Sequence, residues 1–126
     1  MRFLRLFGDL ALLLRRAVRL ERLRTSAGPR EAVLEARRLG GRSYLRRPAE
    51  RRLLRALIAT VDRLWPSGPN CYRRVLLEVA MDSGAAEELV QMGFRKEGGV
   101  GSGHAWLGPG VVVDGKERPY DAIVSI

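Results

Sequence analysis

Apolar residues recur at intervals of three and four along the first two thirds of the chain, and this spacing is typical of amphipathic helices. Glycine and proline residues separate the segments in which the pattern holds. They mark helix boundaries, because proline fits a first helical turn and glycine accepts the conformation that follows a last one. The pattern predicts four helices, over residues 2–24, 30–39, 48–64 and 71–81.

After Gly84 the helical spacing gives way to short apolar runs between glycine-rich segments, which predicts strands. Segment 98–103 has four glycines in six residues and is predicted to be a flexible loop. Helices followed by an antiparallel sheet give an α+β fold class. The predicted strands are Leu89–Phe94, His104–Leu107, Val111–Asp114 and Tyr120–Ile126.

Length and charge distribution predict one domain with two regions of different charge. A chain of 126 residues with 46% hydrophobic residues is expected to form a single domain, 1–126, with one modest core. The net charge is +9, yet residues 1–65 hold 17 arginines against 6 acidic residues, and the remainder holds 6 cations against 8 acidic residues. We therefore expect a basic helical region over 1–48 and a core over 49–126. The preference for arginine over lysine is typical of a GC-rich bacterial genome.

Cysteine usage and the first residues indicate the compartment. A single cysteine forms no internal disulfide, which favours a reducing environment. The longest uninterrupted apolar run near the start, Leu10–Leu14, is too short for a membrane span or a signal peptide. The chain is expected to be cytoplasmic. One cysteine and one histidine do not make a zinc site, and no cofactor is expected.

The basic amphipathic helix 2–24 admits three roles, in decreasing order of preference. Its apolar stripe can pack on the domain while its arginines face solvent. It can instead form a docking surface for a partner protein or an acidic peptide. It can also lie on an anionic membrane surface, as basic amphipathic helices do.

Cys71 is the first candidate for chemistry. It follows the loop-forming run Pro66–Asn70 and begins a predicted helix. Unpaired N–H groups and the positive end of the helix dipole favour a thiolate there, and the same N–H groups can bind an oxyanion. The alternative is a buried structural cysteine, since Val75 and Val79 share its helix face.

His104 is the matching candidate for a general base. If Gly108–Gly110 is a three-residue loop, His104 lies opposite Asp114 in the predicted hairpin, close enough for the carboxylate to orient the imidazole. A two-residue turn would place Gly115 there, and Asp121 is then the alternative carboxylate. A surface or structural histidine is the alternative for His104 itself.

Three segments together resemble a known family. The chain resembles the transglutaminase-like cysteine peptidases of lasso-peptide biosynthesis in the segments Asn70–Arg74, Gly103–Leu107 and Val112–Gly115 and in the spacing between Cys71 and His104. In that family a cysteine at a helix start is followed by a glycine-containing strand and then a strand with the sequence His-Ala-Trp. The resemblance covers residues 60–126.

The resemblance implies a transglutaminase-like or papain-like core with Cys71, His104 and Asp114 as a catalytic triad. It implies a hydrolase that removes the leader from a ribosomally synthesised precursor peptide through a thioester acyl-enzyme. Such enzymes act with a small leader-binding partner protein and pass the core peptide to an ATP-dependent macrolactam cyclase. Whether water or an amine resolves the acyl-enzyme does not follow from the residues themselves.

Two non-enzymatic readings remain beside this one. The basic half could bind nucleic acid through its phosphates, or a protein partner, as a module without catalysis. No helix-turn-helix, RNA-binding or zinc motif accompanies the arginines. The chain could also be an inactive transglutaminase-like scaffold, a reading that an unsettled third triad member leaves open.

Overall fold

The protein is α+β, mostly helical with a small antiparallel sheet. The structure is a computed structural model, and it describes residues 2–97, 100–108 and 122–126. Along these residues the elements are α1 (Arg2–Ala27), α2 (Pro29–Gly41), α3 (Pro48–Arg63), α4 (Cys71–Met81), the short α5 (Ser83–Ala86), β1 (Val90–Glu97), β2 (Val100–Leu107) and β3 (Ala122–Ser125).

The helices begin and end close to the predicted positions. α4 begins at Cys71 and ends at Met81, as the apolar spacing predicts. α1 continues past its predicted end and stops before Gly28, whose φ of 98° lies in the left-handed region that favours glycine. Pro29 then occupies the first turn of α2, where the missing N–H costs no hydrogen bond.

The apolar stripe of α1 is only partly covered by the rest of the protein. Leu13, Ala17 and Leu20 are buried in the core, whereas Leu14 is 44% exposed and Val18 is 43% exposed. The described part of α1 therefore packs on the domain with one side of its stripe and presents the other side to solvent. Among the described residues, no helix is long and apolar enough to cross a membrane.

The described strands form one antiparallel sheet in the order β2-β1-β3. β1 and β2 pair along their whole lengths, with Gly93 opposite His104 and Phe94 opposite Gly103. The prediction of a flexible loop over 98–103 is wrong for Val100–Gly103, which belongs to β2. Glycine has a low strand propensity, but pairing with β1 along the whole length of β2 overrides it.

The other strand predictions have different outcomes. Ala122–Ser125 forms β3 within the predicted segment Tyr120–Ile126, and its neighbour in the sheet is β1. The predicted partner of His104, the strand Val111–Asp114, lies outside the described residues. Within the described part of the sheet, β1 is the strand that pairs with His104.

A continuous apolar core joins the two predicted regions of the chain. Buried residues of α1 and α2 share this core with residues of α3, α4, β1 and β2. α2 and α4 touch through their backbones, since a Cβ atom added to Gly40 would lie 1.9 Å from the carbonyl oxygen of Val79. This contact requires glycine at position 40, and it fixes α4, which begins with Cys71, against α2.

Candidate active site

A buried carboxylate determines the position of the loop before α4. Asp62, near the end of α3, is 1% exposed, and its two oxygens both lie 3.1 Å from the backbone N–H of Asn70. Oδ1 also accepts a hydrogen bond of 2.8 Å from Nη1 of Arg73. Asp62 therefore links the end of α3 to the residue immediately before Cys71.

Arg73 extends this link to α1 and to the loop itself. Its guanidinium is buried and forms ion pairs of 2.8 Å with both Glu21 and Asp62. It also donates to the carbonyl oxygen of Gly68 at 2.9 Å and lies 4.6 Å from the centre of the Trp65 ring. Because a buried charge is costly unless it is paired, these contacts hold α1, α3 and the start of α4 in one arrangement.

Asn70 caps the helix that Cys71 begins. Its Oδ1 accepts hydrogen bonds from the backbone N–H of Tyr72 at 2.9 Å and of Arg73 at 3.4 Å, an arrangement typical of an N-cap residue. Within the described residues, the backbone N–H of Cys71 donates to no protein acceptor. As one of the first amides of α4, this N–H has no acceptor within the helix.

The thiol lies against the strand that carries His104. Sγ of Cys71 is 4.0 Å from the carbonyl oxygen of Gly103, the residue before His104. Cys71 is half-buried, whereas Val75 and Val79 on the same helix face are buried in the core. The imidazole of His104 is stacked on the indole of Trp106, with ring centres 5.9 Å apart and an angle of 22° between the rings.

A cleft of about 350 Å³ contains both residues. The start of α4 forms one wall and the paired strands β1 and β2 form another, while the junction of α1 and α2 closes one end. Its volume is at the lower end of the range for ligand sites. The described lining residues are Arg24, Pro29, Asn70, Cys71, Tyr72, Met92, Gly93, Phe94, Gly103, His104 and Ala105.

Tyr72 connects two walls of the cleft and stays neutral. Its hydroxyl donates a 2.5 Å hydrogen bond to the carbonyl oxygen of Pro29. Burial raises the pKa of Tyr72 to about 12, against an opposing effect of the nearby Arg24 guanidinium. The phenol therefore keeps its proton at physiological pH and serves as a fixed donor between α4 and α2.

Two of the predicted site residues, Cys71 and His104, belong to the described part of the chain, and the two candidate carboxylates do not. Cys71 and His104 both contribute to the lining of one cleft, although they lie far apart in the chain. Asp114 and its alternative Asp121 both lie outside the described residues. Within the described part of the chain, no group of three histidine, cysteine or acidic residues is placed to hold a metal ion.

Sequence reasoning missed three residues of this region: Asp62, Arg73 and Arg24. Asp62 and Arg24 stand in predicted amphipathic helices, where a charged residue is most simply read as part of the solvated face. Arg73 falls in the first turn of α4, where a cation does not complement the helix dipole. That unfavourable position was the one signal in the sequence that Arg73 has a specific partner.

Comparisons of the chain with models of protein families, with curated proteins and with solved structures find no match.

Proposed function

We propose that this protein is a cysteine peptidase in which Cys71 is the nucleophile and His104 is the general base. The observation that carries the proposal is that both residues line one cleft, with Cys71 as the first residue of a helix and its thiol against the strand of His104. A cysteine at a helix N-terminus and a histidine on the same cleft are the two groups from which thiolate catalysis is built, and the proposal requires the imidazole to come within hydrogen-bond reach of the thiol.

The first half of the proposed reaction cleaves the peptide bond. His104 takes the thiol proton of Cys71, and the thiolate attacks the carbonyl carbon of the scissile bond. The carbonyl oxygen becomes an oxyanion that accepts a hydrogen bond from the backbone N–H of Cys71. The C–N bond then breaks, His104 gives the proton to the leaving amine, and the acyl group remains on Sγ as a thioester.

The second half releases the acyl group. His104 removes a proton from water, which attacks the thioester carbonyl, and the thiol is regenerated. The family resemblance favours water over an amine as the group that attacks the thioester. On the same basis, the acyl group on Sγ is the leader segment of a precursor peptide. On the same basis we propose a transglutaminase-like core, a small leader-binding partner protein, a macrolactam cyclase as the next enzyme, and Asp114 as the orienting carboxylate.

Asn70 supplies a second donor to the oxyanion in this proposal. Its Oδ1 faces the amides of α4, so its Nδ2 points away from the helix, and the residue lines the cleft next to Cys71. The backbone of Asn70 is held by both oxygens of Asp62. A side-chain amide fixed in this way needs no reorganisation when negative charge develops on the carbonyl oxygen.

Replacing Asn70 by aspartate is expected to lower kcat by roughly 10²–10³-fold, the effect of removing one oxyanion donor. Aspartate caps a helix as well as asparagine, so thermal unfolding should be unchanged within error. The matched variant Asn70→Ser also keeps a capping oxygen and also lacks the NH₂ group, without adding charge. A normal kcat for Asn70→Ser would show that Asn70 acts only as a cap.

The proposed function is tested with a precursor peptide encoded beside this gene, whose cleavage is followed by mass spectrometry. Methyl methanethiosulfonate should modify Cys71, the only thiol in the chain, and cleavage should fall in proportion to the modified fraction. Dithiothreitol removes the modification and should restore cleavage, which separates thiol chemistry from unfolding. Undiminished cleavage by fully modified protein would refute the proposal.

A further inference from the structure

Arg24 brings a positive charge into the cleft. It lies in the last turn of α1, and it is the only arginine, lysine or carboxylate side chain among the described residues that line the cleft. About 30% of the side chain is exposed. The other described walls are largely apolar or uncharged, so Arg24 is the charged side chain that an occupant of the described part of the cleft would meet.

The charge of Arg24 is only partly compensated. Its Nη2 donates to Oε2 of Glu21 at 2.8 Å, but the other oxygen of Glu21 pairs with Arg73. Asp62 is shared in the same way, by Arg73 at 2.8 Å and Arg74 at 3.4 Å. Among the described residues, three guanidinium groups therefore share two carboxylates, and one positive charge remains in the cluster.

The position of each arginine shows where this remaining charge can act. Arg73 is buried and engaged on several sides, and Arg74 is half exposed but does not line the cleft. Arg24 is the member of the cluster that faces the cleft. Its Nε is buried and has no hydrogen-bond partner within the described residues. Because Nε itself is buried, an anion in the cleft would bind to the exposed part of this guanidinium, and partial desolvation of the site strengthens that interaction.

We infer that Arg24 forms a binding site for a carboxylate beside the thiol of Cys71. A planar carboxylate matches the guanidinium fork and would complete the charge balance of the cluster. If the proposed peptidase function holds, the substrate class is a peptide that presents a carboxylate next to the scissile bond. The carboxylate comes either from an aspartate or glutamate side chain or from the chain end, and Met92 and Phe94 offer apolar contacts to the residues around it.

Two alkylating reagents test the site without any peptide. Iodoacetate and iodoacetamide both react with a thiolate to form an S–C bond and release iodide, but only iodoacetate carries a carboxylate. Because Cys71 is the only cysteine, the alkylation rate of the protein reports this one position. The rate ratio of iodoacetate to iodoacetamide cancels differences in thiol reactivity and isolates the attraction for the carboxylate.

Arg24→Gln is expected to lower this ratio by about five-fold, the effect of removing one charge at cleft distances in a medium of intermediate dielectric. Arg24→Lys keeps the charge and should retain most of the ratio. The matched control is Arg22→Gln, which removes an exposed arginine that lines a different groove on the same helix. An unchanged ratio in Arg24→Gln, or an equal fall in Arg22→Gln, would overturn the inference.

Peptides then identify the source of the carboxylate. Cys71→Ala, which cannot turn substrate over, is titrated with three fluorescent peptides that each contain phenylalanine. The first contains aspartate and has a blocked C-terminus. The second contains asparagine and has a blocked C-terminus, and the third contains asparagine and has a free C-terminal carboxylate. The site is supported if one of the two peptides with a carboxylate binds more tightly than the blocked asparagine peptide and if Arg24→Gln abolishes this difference. The peptide that binds more tightly then identifies the source of the carboxylate. Equal binding of all three refutes it. These readouts need no cleavage, so they remain informative if the peptidase proposal fails.

Discussion

Cys71→Ala is expected to lower kcat for peptide cleavage by a factor on the order of 10⁶, the loss seen when the nucleophile of a catalytic unit is removed. His104→Ala should be affected almost as severely, because the thiol then has no base to take its proton. The variants are compared by single-turnover cleavage of the precursor peptide at saturating enzyme. Substantial cleavage by either one would contradict the proposed roles.

The double variant gives the sharper test. If Cys71 and His104 act as one unit, Cys71→Ala combined with His104→Ala should be no slower than the worse single variant. Multiplicative losses would instead indicate two independent contributions. Arg22→Gln serves as the control for substitution at an exposed residue outside the cleft, and its kcat should match the unsubstituted protein.

Asp62→Asn is expected to lower the free energy of unfolding by about 3–5 kcal/mol, the cost of removing one partner of a buried ion pair while the other stays charged. The substitution keeps the shape of the side chain but leaves Arg73, which is 2% exposed, with one carboxylate fewer. It also weakens the hold on the backbone of Asn70. Urea unfolding followed by circular dichroism measures the effect.

A matched control separates burial from the simple loss of a carboxylate. Glu87→Gln makes the same chemical change at an exposed position, and its effect should stay within about 0.5 kcal/mol. The double change Asp62→Asn with Arg73→Met should cost less than the sum of its single changes, because neither partner is then left charged and unpaired. Equal destabilisation by Asp62→Asn and Glu87→Gln would show that the buried network does not stabilise the fold.

The helical part of the fold was predictable because its signals are local. Pro29, Pro48 and the glycine pair after residue 39 stand where helices begin and end, and the start of α4 at Cys71 follows from the loop before it. Leu53 shows the limit of such patterns. By its spacing Leu53 belongs to the apolar side of α3, yet it is 59% exposed, whereas Leu54 and Ile58 are each 2% exposed.

The strands were harder, because their positions depend on partners that lie far away in the chain. Gly101 and Gly103 read as loop residues from their local preference, and only the facing strand β1 makes them part of β2. The sequence pattern predicts that His104 pairs with a strand that follows it in the chain, whereas its described partner Gly93 precedes it. Asp114 as the orienting carboxylate stays a prediction.

The arginine-rich composition has a meaning that a count of charges does not reveal. Arg46, Arg51 and Arg73 are directed inward, where they pair with carboxylates of other elements. Arg51 bridges α3 to Glu78 of α4 and to Glu88, and Arg55 of α3 also pairs with Glu78. These arginines therefore hold the elements together, and a count of arginines alone would overestimate the number that form a basic surface.

The order in which the cleft residues appear along the chain has a consequence for biosynthesis. The ribosome adds Arg24 first, Cys71 next and His104 last, at roughly 5–20 residues per second. A nascent chain therefore carries its thiol for seconds before the imidazole exists. In the proposed peptidase, a translation product that stops before residue 104 lacks the general base, so neighbouring polypeptides are protected from cleavage until His104 has been added and its strand has joined the helices.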